Sequence, residues 1–175
     1  VRSLVCVEGF GLRAHPSSHA ASHLRGWLAD ARRSPAWRSY GQLEDVVARV
    51  RERSSRVSPE RAKFVASHWA ERDKSGAYRL RADPGHRRAN PDLFREDEAI
   101  AIWSAICAPV LWIEAKQTDN LARHGLDWES LAERRQAIPR LERVQIDDCG
   151  HMVHWDQPER LAGEIDRYLR QSALP

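Results

Sequence analysis

Two short polar segments of the sequence contain residue types that can move a proton. One segment holds Asp119, and the other holds His151 directly after Gly150. An imidazole can accept a proton from a nucleophile near neutral pH, and a carboxylate on its other ring nitrogen fixes the tautomer and stabilises the imidazolium. The pattern predicts His151 as a general base and Asp119 as the acid that orients it. Glu114, Asp147 and Asp148 lie close by in the sequence and remain alternatives to Asp119.

Both segments follow apolar runs that are typical of buried strands. Residues 109–113 form a continuous apolar run, and the sequence Arg-Val-Gln-Ile at 143–146 predicts another short strand. Helical patterns follow each run, and the strand-helix-strand-helix order predicts parallel pairing in an α/β fold. In open sheets of this kind, working residues lie just beyond the carboxyl ends of the strands. The glycine before His151 is expected to allow a sharp backbone turn that brings the ring over the sheet edge.

The amino-terminal segment and the middle of the chain have different hydropathy patterns. Residues 4–7 are a short apolar run closed by Glu8 and Gly9, which predicts another buried strand. Most of the following ninety residues are polar and helical, with an apolar stripe at Leu43, Val46, Val47 and Val50. A further helix is expected to begin at Pro59 with Ser58 as its N-cap, and to bury Phe64, Val65, His68 and Trp69.

Several segments taken together resemble a known superfamily. The strand at 109–113, the acid in the loop that follows, and the run Gly-His-Met-Val-His-Trp-Asp-Gln-Pro-Glu at 150–159 are similar to the last strands and final helix of the α/β-hydrolases. Residues 1–9 resemble the strand that follows the nucleophile helix of that fold. The resemblance implies a core strand at 1–12, a helical cap at 13–100, and a carboxyl-terminal core at 101–175.

The implied fold is an incomplete α/β-hydrolase with parallel strands and a helical cap insertion. The implied parental activity is hydrolysis of an ester or a related bond of a small molecule, without a cofactor, by a nucleophile, His151 and Asp119. In the family the nucleophile precedes the acid and the histidine. The sequence contains no Gly-x-Ser-x-Gly elbow, so this chain alone is expected not to turn over substrate. An aspartate nucleophile would instead imply epoxide hydrolase or haloalkane dehalogenase chemistry.

A second interpretation belongs to another functional class. A chain that begins inside a central strand has an exposed sheet edge, which a missing amino-terminal half or an oligomer partner would have to cover. On this interpretation the chain is a non-catalytic truncated remnant or an interaction module.

Charge, hydropathy and cysteine content argue against nucleic-acid and membrane partners and against disulfide bonds. The net charge is +3, but basic and acidic residues alternate along the predicted helices, which argues against a nucleic-acid partner. The sequence has no apolar run of membrane-spanning length and no leader-like amino terminus, so a cytoplasmic location without a membrane partner is expected. Three widely spaced cysteines favour reduced thiols over disulfides.

Three other groups of residues could do chemistry. His15, His19 and His23 recur every four residues, a spacing that can bind a metal on a helix, but Pro16 interrupts the run and no metal site is predicted. Cys149 lies on the same turn as His151 and is interpreted as a structural thiol, and His154 as a neighbour of the site. Four tryptophans could line a substrate pocket or simply fill the core: Trp27, Trp37, Trp69 and Trp128. Because both interpretations are open, the substrate-binding residues are undetermined.

Overall fold

The computed structural model describes residues 1–172 of the chain, which divide into two compact units. The first unit combines Val1–Arg13 with the chain from Arg95 onward, and the second is Ala14–Phe94. Within the described residues, no helix has the length and apolar character needed to cross a membrane.

Five strands and eight α-helices occur within residues 1–172. The strands are β1 (Leu4–Val7), β2 (Ala70–Arg72), β3 (Tyr78–Leu80), β4 (Val110–Ala115) and β5 (Leu141–Ile146). The helices are α1 (Ala20–Ala31), α2 (Leu43–Arg53), α3 (Pro59–Trp69), α4 (Glu96–Ser104), α5 (Asn120–Arg123), α6 (Trp128–Gln136), α7 (Val153–Asp156) and α8 (Pro158–Ser172). Short 3-10 turns occupy Ser17–His19 and Pro84–Arg87.

The first unit is built on a parallel sheet with the strand order β1-β4-β5. Val7 is in register with Ile113, and Ala115 is in register with Ile146. The predicted α/β class and parallel pairing are therefore confirmed. Because all three strands run the same way, their carboxyl ends lie at one edge of the sheet, where Glu8 and the loops after Ala115 and Ile146 emerge.

The central strand β4 is buried along its whole length, as expected for a parallel strand covered on both faces. Alternate residues of β4 enter two separate apolar clusters. Leu111 and Ile113 lie in a cluster with Val153 and Tyr168, so this face is covered by α7 and α8. Val110 and Trp112 lie on the other face, in a cluster completed by Phe10, Leu121, Leu131 and Ile138.

Two buried charged side chains, Glu114 and Arg134, form ion pairs and hydrogen bonds that stabilise this sheet and the segments next to it. Glu114 is fully buried on β4, where its carboxylate accepts hydrogen bonds from Arg135 at 2.5 Å and from Arg143 at 2.8 Å. Arg134 of α6 is 2% exposed and donates to the backbone carbonyls of Phe10 and Leu12 and to Glu96. Each buried charge is paired, as the cost of desolvation requires. Arg134 thereby anchors the segment that follows β1 to α6.

The second unit contains the helix pair α2 and α3 and the antiparallel hairpin β2-β3. The predicted stripe of α2 is confirmed at its centre, because Val46 and Val50 are completely buried. The predicted N-cap of α3 is also confirmed, since Ser58 Oγ accepts from the Arg61 backbone nitrogen at 3.2 Å.

The buried face of α3 differs from the prediction. Phe64 is 63% exposed, and its ring lies against His68 on the outer surface of the helix. Ala62 and Ala66 are buried instead. Small side chains allow the backbone of α3 to approach its neighbour closely, so the alanines rather than the larger residues face inward.

The tight turn after β1 generates a stability prediction. A Cβ at Gly9 would collide with the Cys6 sulfur, whereas a Cβ at Gly163 on α8 would meet nothing within 4 Å. Gly9→Ala should therefore lower the free energy of unfolding by roughly 1–3 kcal/mol, as overpacking does. Gly163→Ala should raise it by about 0.5–1 kcal/mol through helix propensity.

Urea unfolding followed by circular dichroism measures both changes. Adding Cys6→Ala to Gly9→Ala should recover most of the loss, because the colliding sulfur is gone. Equal stabilities of Gly9→Ala and the native chain would show that the turn is not constrained in this way.

Candidate active site

Glu8 is the residue that terminates β1, and its backbone is strained. Its φ is +54°, in the left-handed region that residues other than glycine seldom adopt. Its side chain is only 2% exposed. A buried carboxylate on a strained backbone at the carboxyl end of a parallel strand combines two features that are common at functional sites.

The Glu8 carboxylate receives hydrogen bonds from both other strand ends of the sheet. Oε1 accepts from the backbone nitrogen of Ala115 at 2.7 Å, and Oε2 accepts from the Thr118 hydroxyl at 2.7 Å. Oε2 also lies 3.1 Å from Nδ1 of His151. These three contacts compensate for the burial of the charge and hold both oxygens in place.

The loop that carries His151 is fixed by the loop after β4. The Gln117 side chain accepts from the Cys149 backbone nitrogen, and the Gln117 backbone nitrogen donates to the Cys149 carbonyl, both at 3.2 Å. Gly150 donates to the Asp156 carboxylate at 2.9 Å. The left-handed residue of this loop is Asp148, with a φ of +54°, so the expected sharp turn occurs two residues before Gly150.

The two ring nitrogens of His151 have different surroundings. A carboxylate can only accept, so the short contact with Glu8 assigns the proton to Nδ1. Nε2 has no hydrogen-bond partner among residues 1–172 and keeps a free lone pair. The side chain is 41% exposed, so reacting groups can reach it. This geometry equips His151 to accept a proton at Nε2 while Glu8 stabilises the resulting imidazolium.

Asp119 has a different partner from the one the sequence suggested. Its carboxylate lies 2.6 Å from the guanidinium of Arg123, one turn along α5, and its side chain is 62% exposed. The hydrogen bond of His151 Nδ1 goes to Glu8 and not to Asp119. The structure therefore brings His151 together with an acid that the sequence reasoning did not select.

The sequence did contain a signal for Glu8. It is the first polar residue after the apolar run 4–7, and like Asp119 it lies beyond the carboxyl end of a predicted strand. Two of the other acids near strand ends, Glu114 and Asp147, have partners elsewhere. Glu114 is paired with two arginines, and Asp147 lies 2.8 Å from Lys116, which lowers the pKa of Asp147.

His154 lies near the site, three residues after His151. Burial, together with the neighbouring charge of His151, lowers its pKa, and Asp156 opposes that shift only partly. Its ring packs edge-on against Trp155. Burial and the charge of His151 thus favour the neutral form of the His154 imidazole.

The three histidines of the second unit, His15, His19 and His23, do not come together as a cluster of potential metal ligands. His15 precedes Ser17–His19 and lies outside α1, while His23 Nε2 lies 2.7 Å from the carbonyl oxygen of Asn90. No cluster of three or more potential metal ligands occurs among residues 1–172.

The fold of the chain matches solved hydrolase structures over nearly its entire length. A thioesterase domain from the curacin biosynthetic pathway superposes with a TM-score of 0.74 and 19% identity, covering 94% of this chain and 57% of that domain. An esterase of Mycobacterium tuberculosis gives a TM-score of 0.67 and 16% identity, covering 97% of this chain and 55% of the esterase. E-2-(acetamidomethylene)succinate hydrolase gives 0.64 and 16%, with coverages of 97% and 58%.

These likenesses establish an α/β-hydrolase type of fold. The chain spans little more than half the length of the structures it matches, as an incomplete version of the fold does. No protein-family model and no curated protein matches the sequence.

The thiol beside His151 generates a labelling prediction. Cys149 is completely buried, and burial, with smaller contributions from Asp156 and Glu8, raises its pKa to about 11. At pH 8 only about one molecule in a thousand would carry the reactive thiolate. Iodoacetamide should therefore modify the exposed Cys107 readily in the native chain and leave Cys149 intact until urea is added.

Peptide mass spectrometry distinguishes the two sites, and Cys107→Ser is the control that removes the fast reaction. Labelling of Cys149 as fast as Cys107 in the folded chain would contradict its interpretation as a structural thiol.

Proposed function

We propose that this chain provides the base and acid of a nucleophile-histidine-acid hydrolase, with His151 as the general base and Glu8 as the acid that orients it. The observation that carries the proposal is the contact between His151 Nδ1 and the buried Glu8 carboxylate, with Nε2 left open. The hydrolase type of the fold supports it independently.

The proposed reaction follows from the two nitrogens of the imidazole. Nε2 takes the proton of a nucleophile as that group attacks a carbonyl carbon, and Glu8 stabilises the imidazolium that forms. The imidazolium then donates the proton on its Nε2 to the leaving group. A water molecule repeats the cycle in the second half of the reaction and releases the acid product.

The nucleophile has to come from residues outside this chain's sequence, which contains no elbow motif. A serine would give ester or thioester hydrolysis. An aspartate would give epoxide hydrolase or dehalogenase chemistry, in which His151 activates water for the second step. The base and acid described here suit either nucleophile.

Asp119 remains a prediction for the acid. Its exposed ion pair with Arg123 would have to break before it could reach the imidazole. Glu8 needs no rearrangement, and this difference is the reason for preferring it.

The substrate class is proposed from the neighbouring folds. The matched structures include an esterase, a thioesterase domain and E-2-(acetamidomethylene)succinate hydrolase. We infer that the substrate is a small molecule with a hydrolysable acyl bond. The unit Ala14–Phe94 is proposed to be the helical cap of such an enzyme.

The free edge of β1 supports the need for a further protein segment. Within residues 1–172, β1 pairs only with β4, and its side chains are exposed or half-buried, with Leu4 40% exposed. An unpaired apolar edge is a template for another strand. We propose that an amino-terminal half or an oligomer partner pairs with β1 and brings the nucleophile. The same edge would favour the second candidate, a non-catalytic interaction module.

The test begins with the genomic DNA upstream of the codon for Val1, read in frame. The proposal expects strands and a Gly-x-Ser-x-Gly or Gly-x-Asp-x-Gly elbow there. The extended protein should then hydrolyse p-nitrophenyl acetate, or an epoxide if the elbow carries aspartate. His151→Ala should lower kcat/KM by roughly 10⁴-fold, and Glu8→Gln by about 10²- to 10⁴-fold.

Asp119→Asn is the matched control and should change kcat/KM by less than about threefold, because an exposed ion pair contributes little. The reverse ranking of Glu8→Gln and Asp119→Asn would assign the acid to Asp119 and contradict our choice. A closed upstream frame without an elbow would refute the enzyme proposal and leave the interaction module. Esterase activity of the chain alone would also contradict the account if His151→Ala abolished it, since no outside nucleophile would be needed.

A further inference from the structure

Three arginines of the second unit line one cavity. The cavity has a volume of about 250 Å³ and lies where the end of α1 meets the turn Pro84–Arg87. Its lining includes Arg33, Arg87 and Arg88, together with Ser34 and a single carboxylate, that of Asp30. The lining residues therefore carry a formal charge of +2, from three guanidinium groups and one carboxylate.

Within residues 1–172, no ion pair neutralises this positive charge. No ion pair within 4 Å involves Arg33, Arg88 or Asp30 anywhere in residues 1–172, although many other arginines of the chain form such pairs. Like charges that converge on one concave surface raise its affinity for anions, because the field of each guanidinium adds to that of the others.

The two segments that carry the arginines are held together by specific contacts. Arg87 donates to the carbonyl of Ala36 at 3.3 Å, and its guanidinium lies 5.6 Å from the centre of the Trp37 ring. The Trp37 indole nitrogen donates to the carbonyl of Ala82. The guanidinium of Arg87 is therefore positioned before any ligand arrives.

Local backbone hydrogen bonds fix the other two arginines. The Arg33 nitrogen donates to the Asp30 carbonyl and the Arg88 nitrogen to the Gly85 carbonyl, each at 3.0 Å. The Asp83 side chain accepts from the Gly85 nitrogen at 2.7 Å and closes the second turn. The backbones at both walls are thus ordered, and only the ends of the arginine side chains need to settle on a ligand.

We propose that this cavity binds the phosphate or diphosphate group of a small molecule. Guanidinium groups match phosphate because their N–H groups donate in pairs to its oxygens, and a doubly charged phosphate offers three acceptor oxygens. A carboxylate carries a single charge and two acceptor oxygens, so it matches three guanidinium groups less well than a phosphate does. The volume is slightly below the range of about 300–1,000 Å³ that is typical of whole-ligand pockets, so it suits such a group better than a large ligand. This inference does not depend on the proposed hydrolase chemistry.

The test uses inorganic pyrophosphate as the probe. Isothermal titration of the full 175-residue chain at low ionic strength should give saturable binding at one site, weakened by added salt. Arg33→Gln and Arg88→Gln should each weaken binding by roughly tenfold. Arg87→Lys provides a third variant, which keeps the charge but loses the paired donors.

Arg51→Gln is the matched control, because Arg51 is an exposed arginine of α2 in the same unit and does not line the cavity. At an ionic strength of about 0.15 M, where the Debye length is about 8 Å and a distant charge is screened, it should change the affinity by less than about twofold. Circular dichroism of each variant establishes that the fold is retained, as expected for exposed side chains.

Three results would overturn the proposal. One is the absence of saturable pyrophosphate binding. Another is an equal loss of affinity in Arg51→Gln, which would indicate only a general effect of net charge. The third is tighter binding of a single-stranded oligonucleotide than of pyrophosphate, weakened by the same Arg33→Gln and Arg88→Gln variants, which would assign the cavity to a nucleic-acid surface.

Discussion

The geometry of this site depends on the hydrogen bonds that the buried carboxylate of Glu8 accepts. Glu8 directly follows β1, and its carboxylate accepts hydrogen bonds from Ala115 and Thr118 at the end of β4. The same carboxylate contacts His151 beyond β5, so it joins the ends of all three parallel strands. A charge buried this deeply is tolerable only while its donors remain in place. The same contacts that stabilise the carboxylate therefore fix the position and tautomer of the imidazole.

Other buried groups support this arrangement from the body of the sheet. Arg134 anchors the segment after Glu8 by donating to the carbonyls of Phe10 and Leu12, and α6 in turn packs its Leu131 against β4. The strained φ of Glu8 persists because the chain on both sides of it is held. The site thus rests on rigid strand ends, which suits a proton transfer that needs fixed distances.

The sequence predicted the parts of this structure that depend on local pattern. The strands of the parallel sheet, the Ser58 cap and the apolar stripe of α2 follow from periodicity and capping chemistry, and the α/β class follows from their order. The burial predicted for residues 4–7 was wrong, because β1 lies at the edge of the sheet and its side chains are exposed or half-buried. The acid nearest His151 could not be chosen this way, because Glu8 and His151 are 143 residues apart and several acids stand at strand ends. The registers of β1 against β4 and of β4 against β5 together decide which one reaches the ring. The exposed Phe64 shows the same limit, since the close approach of neighbouring elements selected Ala62 and Ala66.

The central claim is that Glu8 holds the proton of His151 on Nδ1. Long-range ¹H–¹⁵N NMR of the ¹⁵N-labelled chain, recorded with the imidazole neutral, reports directly which ring nitrogen carries the proton. We predict a protonated Nδ1 and an unprotonated Nε2 in the native chain and in Asp119→Ala. In Glu8→Ala the proton should shift toward Nε2, the position preferred by a free imidazole side chain. A tautomer that changes in Asp119→Ala but not in Glu8→Ala would contradict the account.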